Sequence, residues 1–359
     1  MWQRLAGARH LACLKKWTCR AERVNDVFTG ADYRSKAEAF YVRNYHLRFT
    51  FEQVDFANQK KRILRGPEPR RCRFCGKGAP GVTFGNVAHA IPESIGNRRL
   101  ISEYECDTCN RFFGSGIENH FGNWSKPLRL LAGRSGKKGI PTLKGGGPSG
   151  WRIERTGNRF EIFAGANEDD RPFTASEDHP VVNLALTRDP YVPVAVLKTF
   201  VKMALSVMPD DEFANFGETR DWLMGAGADD EFIQMPSAEW LITRSTPADS
   251  FAIHLLIRSP DAPDHVPYAY LLLSYGMQRF QVNVPCPSRD VRFTAESPVE
   301  VASFPWPDAA EDVLYAGEMD LSGTDRVTDD TINVTYQFET AEFSKSDQKP
   351  APNVGRLKD

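Results

Sequence analysis

Hydrophobic positions along this chain change their period several times, and each change predicts an element. Within 35–45, Ala37, Phe40 and Tyr41 recur three and four residues apart, which predicts a helix. Over 49–56, apolar and polar residues alternate, as in a strand or a short amphipathic helix. The run Gly66-Pro67-Glu68-Pro69 ends that pattern. Further on, 151–155 and 159–163 flank Thr156-Gly157-Asn158, which predicts a hairpin. Val196, Leu197, Phe200, Val201, Ala204, Leu205 and Met208 fall on one helical stripe, with Pro193 near its start and Pro209 at its stop. A second helix is predicted over 210–223. Strand-like runs follow at 240–243, 251–258, 268–275 and 280–284, and Phe251, Ile253, Leu255 and Ile257 share one face. The turn chemistry between these runs points to an antiparallel sheet.

These elements divide 359 residues into an α+β protein of several parts. The expected parts are a poorly ordered N-terminal extension (1–30), a helical and basic segment (31–70), a cysteine-bearing module (71–125), a basic Gly-rich linker (126–150), a larger α+β domain with an antiparallel sheet (151–343) and a disordered tail (344–359). Charge sharpens this division. The net charge is only −2, yet the stretch from Lys60 to Arg73 holds seven Lys/Arg against Glu68 alone, and that from Lys126 to Arg159 holds nine against Glu154 alone. Two basic blocks thus flank one short segment with four of the seven cysteines, a layout suited to a polyanion. The Gly/Lys-rich stretch 133–148 reads equally as a phosphate contact or a solvated loop. No apolar run approaches the ~18 residues of a membrane span, so no membrane association is expected. The basic start (Arg4, Arg9, Lys15, Lys16, Arg20) lacks the apolar core of a secretory signal. A cytoplasmic location is expected, with cysteines as thiols or metal ligands.

Cys72-Arg73-Phe74-Cys75 and Cys106-Asp107-Thr108-Cys109 are two C-x2-C knuckles. Each presents two thiolates on a tight turn, and four thiolates suit a closed, structural Zn²⁺ site. Cys13, Cys19 and Cys286 stand alone and read as ordinary small residues.

The residues between and after the knuckles narrow the choice. Read as C-x2-C … A-H-x-I-P-E-x-x-G-N … E-C-D-x-C-N-x-x-F-G-x-x-I-E, the stretch from Cys72 to Glu118 resembles the HNH (ββα-metal) endonucleases. The resemblance implies two strands and a helix around one divalent cation. His89 would be the general base that activates water, Asn110 on the helix a metal ligand, and Asn97 the loop asparagine that shapes the histidine segment. It also implies phosphodiester hydrolysis in DNA with catalytic Mg²⁺ or Mn²⁺, and a setting such as bacterial anti-phage defence or restriction.

The chemistry is coherent on its own terms. Imidazole is a base near neutral pH, and a hard cation takes oxygen ligands. One departure stands out: Ala88 occupies the place where many HNH enzymes carry a carboxylate. Glu93, four residues past His89, is the expected replacement. Glu118 is disfavoured because eight residues of a continuous helix over 107–121 would put it about 12 Å along the axis from Asn110. Asp107 or Thr108 is expected to cap that helix, leaving Asn110 free. Arg73, Arg98, Arg99, Arg111 and Lys126 are candidate phosphate contacts. The C-terminal domain is expected to control the module through homodimerisation, a regulatory partner or a bound ligand. Two other readings fit the same residues: a catalytically inactive zinc-ribbon nucleic-acid-binding protein, and an interaction protein whose C-terminal domain is the functional part.

Overall fold

The computed structural model describes residues 31–53, 59–145, 150–156, 159–163, 172–175, 181–226, 238–243, 251–290, 299–307 and 313–337. The extension expected over 1–30, the tail expected over 344–359, and Cys13 and Cys19 lie outside them. Within them, the chain is α+β.

Helix α1 (Ala31–Asn44) runs directly into strand β1 (Tyr45–Gln53). Phe49, Phe51 and Gln53 are buried at alternate positions, so the period-two reading is the one adopted. This corrects the expected 31–70 segment, because β1 is the first strand of the large sheet. It pairs antiparallel with β11 (Phe251–Arg258), Tyr45 lying opposite Arg258 and Gln53 opposite Phe251. The sheet continues through β12 (Ala269–Tyr275), β13 (Gln278–Asn283) and β10 (Ala238–Thr243) to β14 (Val313–Met319), all antiparallel.

Helix α4 (Pro193–Val207) is buried along nearly its whole length, the expected state of a helix apolar on most sides. It packs on the sheet face of Ile253, Leu255 and Phe280, with the Phe200 and Phe280 rings 5.2 Å apart. Helix α1 covers the other face through Phe40 and Tyr41 against Leu256, Tyr270 and Leu272. The helix predicted over 210–223 is divided into α5 (Asp210–Phe213), a 3-10 turn (Ala214–Phe216) and α6 (Gly217–Leu223).

The cysteine-bearing module has its own small sheet, in the order β2 (Arg62–Leu64), β4 (Leu100–Ser102), β3 (Ala88–His89). The β3 and β4 strands are antiparallel and β2 joins β4 in parallel. Two helices follow, α2 (Asp107–Ser115) and α3 (Ile117–Leu131), in place of the single helix expected over 107–121. The break falls at Gly116, with φ −100 and ψ −106. A Cβ there would lie 2.9 Å from the Phe112 carbonyl oxygen, so the bend requires glycine.

The linker expected over 126–150 is also corrected. Helix α3 runs on to Leu131, and its Leu128, Leu130 and Leu131 form a second core with Leu143, Ile153, Leu184 and Leu186. Two three-stranded sheets supply those partners. One is β5 (Leu143–Gly145), β6 (Trp151–Thr156) and β7 (Arg159–Phe163), which contains the expected hairpin; the other is β8 (Phe173–Ala175), β9 (Val181–Thr187) and β15 (Thr331–Gln337). Gly146, Gly147 and Pro148 lie outside the described residues. The module and the large sheet share one core, in which Cys72, Phe74, Phe113 and Phe121 join Phe200, Leu255 and Phe280. Among the described residues, no helix is long and apolar enough to cross a membrane.

Candidate active site

The four knuckle cysteines converge. Their sulfurs all lie within 4.8 Å of one another, and Cys72, Cys106 and Cys109 are buried. Four sulfurs about 2.3 Å from a tetrahedral zinc stand about 3.8 Å apart. Cys75 Sγ and Cys106 Sγ are 3.8 Å apart, so the thiols fit such an ion. The Cys106 N–H donates to Cys72 Sγ at 3.4 Å, the kind of main-chain contact that steadies a thiolate. Contact with Cys109 and with backbone N–H groups brings the Cys72 thiol down to about 4, while the same contact pushes Cys109 up. Among the described residues, no other group of three or more His, Cys, Asp or Glu side chains is placed to hold a metal.

The second knuckle opens α2, whose N-cap is Cys106 without a side-chain cap. Asp107, expected as a cap, binds the loop before β3 instead. Its carboxylate accepts from the Thr83 hydroxyl and from the N–H groups of Gly85 and Asn86. These bonds, that of Thr83 foremost, lower its pKa to about 2. Asp107 thereby ties the helix of Asn110 to the strand of His89.

His89 ends β3, opposite Ile101 of β4. The chain then turns through Ile91 and Pro92 into a 3-10 turn (Glu93–Ile95), which closes at Gly96 with φ +96, a left-handed conformation that favours glycine. Asn97 is fully buried. Its Nδ2 donates to the carbonyls of Ile91 and Leu100 at 2.8 and 2.9 Å, and its Oδ1 accepts the Leu100 N–H at 2.9 Å. One amide therefore closes the loop that carries Glu93. Two buried arginines from the stretch expected to be a linker support the same turn, Arg129 donating to the Ser94 carbonyl at 3.1 Å and Arg134 to that of Ile95 at 3.0 Å.

The result is a cavity of about 540 Å³ lined by His89, Glu93, Asn110, Lys61, Arg98 and Lys137, together with Asn86, Val87 and Ile101. The nearest side-chain oxygen of Glu93 lies 3.7 Å from His89 Nε2. Burial lowers the His89 pKa, against the opposing pull of Glu93, which favours the neutral imidazole. Glu93 brings a carboxylate and Asn110 a carboxamide to the same cavity wall, the kinds of oxygen donor that a hard cation takes. Ala88 is buried and contributes none.

Residues 72–125 match the family model described as HNH endonuclease. This segment is an HNH module. No curated protein and no solved structure matches the chain.

The expected phosphate contacts fall in different places around the HNH centre. Arg98 lines the cavity. Arg99 and the exposed Arg111 are not among its lining residues. Lys126 pairs with Asp189 at 2.7 Å, on a part of α3 that does not line the cavity. Arg73 is a correction: it is 7% exposed, its guanidinium donates to the carbonyls of Leu205 and Met208 and pairs with Asp210, and it stacks 3.5 Å over Tyr104. It clamps the first knuckle to the end of α4. Glu118 pairs with Lys202 at 3.0 Å rather than joining Asn110. Lys61 and Lys137 were signalled only by their basic blocks, and Lys202 by nothing in the local sequence.

Proposed function

We propose that this protein is a metal-dependent endonuclease that hydrolyses phosphodiester bonds of DNA. The observation that carries the reading is the convergence of His89, Glu93 and Asn110 on one cavity whose wall also holds the cations Lys61, Arg98 and Lys137. Glu93 and Asn110 would hold Mg²⁺ or Mn²⁺, which supplies charge stabilisation for the pentavalent phosphorus and the departing oxygen. Neutral His89 accepts the proton of the attacking water. The water oxygen forms the new bond to phosphorus, and the bond from phosphorus to the sugar oxygen breaks. Lys61, Arg98 and Lys137 hold the phosphates on either side. The four cysteines hold Zn²⁺ as a structural ion.

Purified protein incubated with supercoiled plasmid and a panel of divalent cations tests this. Nicking is expected with Mg²⁺ or Mn²⁺, and a fall of about 100- to 10,000-fold in His89→Ala, the usual range for loss of a general base. No nicking with any cation overturns the enzyme reading and leaves a DNA-binding protein. Equal nicking by both proteins overturns the role of His89.

A further inference from the structure

We propose that Lys202, on helix α4 and outside the HNH match, is a positioning residue of the nuclease centre that fixes the main chain at His89. The inference rests on the nuclease reading above for its catalytic consequence, and on geometry alone for the tether. Lys202 Nζ donates to the His89 carbonyl at 3.3 Å and forms ion pairs with Glu105 Oε2 and Glu118 Oε1, each at 3.0 Å. The three acceptors come from three separate pieces of the module. Glu105 precedes the second knuckle, Glu118 opens α3 after the Gly116 bend, and His89 ends β3. One ammonium group thus joins all three.

The side chain of Lys202 is 1% exposed, as is that of Glu105. Burial acts to strip its proton, but Glu105 and Glu118 outweigh that, and the ammonium is held charged. The carbonyl of His89 is thus bound by a fixed cation, one residue from the amide that pairs Ala90 with Leu100. Strand β3 has only two residues, so its ladder alone cannot fix the direction of the imidazole. The Lys202 contact supplies that constraint from a helix of the shared core.

The test uses the full-length, zinc-loaded chain in three forms: wild type, Lys202→Met, and Lys202→Met with Glu105→Gln. The double variant leaves the same excess of one carboxylate as the wild type, and lacks only the bridge. With folding and zinc content retained, both variants are expected to bind DNA in Ca²⁺ as the wild type does. Their nicking kcat should fall about 100-fold at unchanged KM, the effect of misplacing a catalytic group by roughly an ångström. Hydrogen exchange at the Ala90 amide should accelerate in both. Wild-type kcat in the single variant overturns the proposal, as does full recovery in the double variant, because charge balance alone would then explain Lys202. If the single variant does not fold, the double variant decides. Failure of both to take up zinc assigns Lys202 to folding alone and overturns the proposal. If the wild type cuts nothing, the nuclease reading falls by itself. Ala90 exchange then decides the tether, and unchanged exchange in both variants refutes it.

Discussion

The strands of the large sheet have between six and nine residues, whereas the three around His89 have two or three. The large sheet is held by area: apolar side chains on both faces, covered by α4 and α1. The HNH module shares the large sheet's core through Phe113 and Phe121, but its centre is held by points: four sulfurs, the carboxylate of Asp107, the amide of Asn97 and the ammonium of Lys202. A sheet held by area tolerates the trimming of one side chain. A centre held by points is exact in geometry and fragile at each point.

Chelation should break this comparison most sharply. Structural zinc in isolated finger peptides is worth about 10–16 kcal/mol at neutral pH. Removing it is expected to abolish hydrogen-exchange protection across 72–110 and all nicking, while 251–284 stays protected. Equal loss in both regions would show that the shared core, not the ion, governs the module.

Phe200→Ala tests the opposite side. This ring lies 5.3 Å from that of Phe121 and 5.2 Å from that of Phe280, so it joins the two regions. A loss of about 3–5 kcal/mol is expected in urea unfolding, the range for a buried Phe→Ala change. A single transition should persist, because both regions lean on that ring.

Lys61→Ala sharpens the cleft itself. Removing one cation that neutralises a phosphate lowers the slope of log K against log salt by about 0.9 for duplex DNA. Lys61 lines the cavity, so that change is expected for Lys61→Ala, with unaltered melting. Lys126→Ala should leave the slope unchanged, because Lys126 is paired with Asp189.

The smallest effect lies in the large sheet. Burial lowers the pKa of His254, whose Nδ1 sits 2.9 Å from the Thr50 hydroxyl. The unfolded chain takes up this proton near 6.5, the folded chain only at lower pH. The stability contributed is therefore full above 6.5 and declines as pH falls below it, until the folded pKa is passed. His254→Gln should flatten that part of the pH profile of the urea midpoint.

The HNH centre is legible in the sequence because its chemistry is contiguous. Two knuckles, His89, Glu93, Asn97 and Asn110 lie in one short stretch, and local turns bring them together. Glu93 lines the cavity while Glu118 pairs with Lys202, and the straight helix assumed in setting Glu118 aside is bent at Gly116. The bend falls at Gly114-Ser115-Gly116, a breaker signal that the straight-helix expectation passed over. Arg73 is misread because a basic run looks the same whether a guanidinium meets solvent or buried carbonyls. Lys202 and the pairing of β1 with β11 join distant segments, and no local pattern encodes them.

That last pairing also sets an order of events during synthesis. Thr50 and His254 face each other across it although they are 204 residues apart in the chain. At about 5–20 residues per second, the first edge of the sheet waits at least ten seconds or so for its partner. The cysteines and His89 emerge in that interval, before the helix that carries Lys202. On the nuclease reading, a nascent chain holds its reactive side chains before it can aim them. On that reading, His89 is held in place only once the segment of α4 has been made.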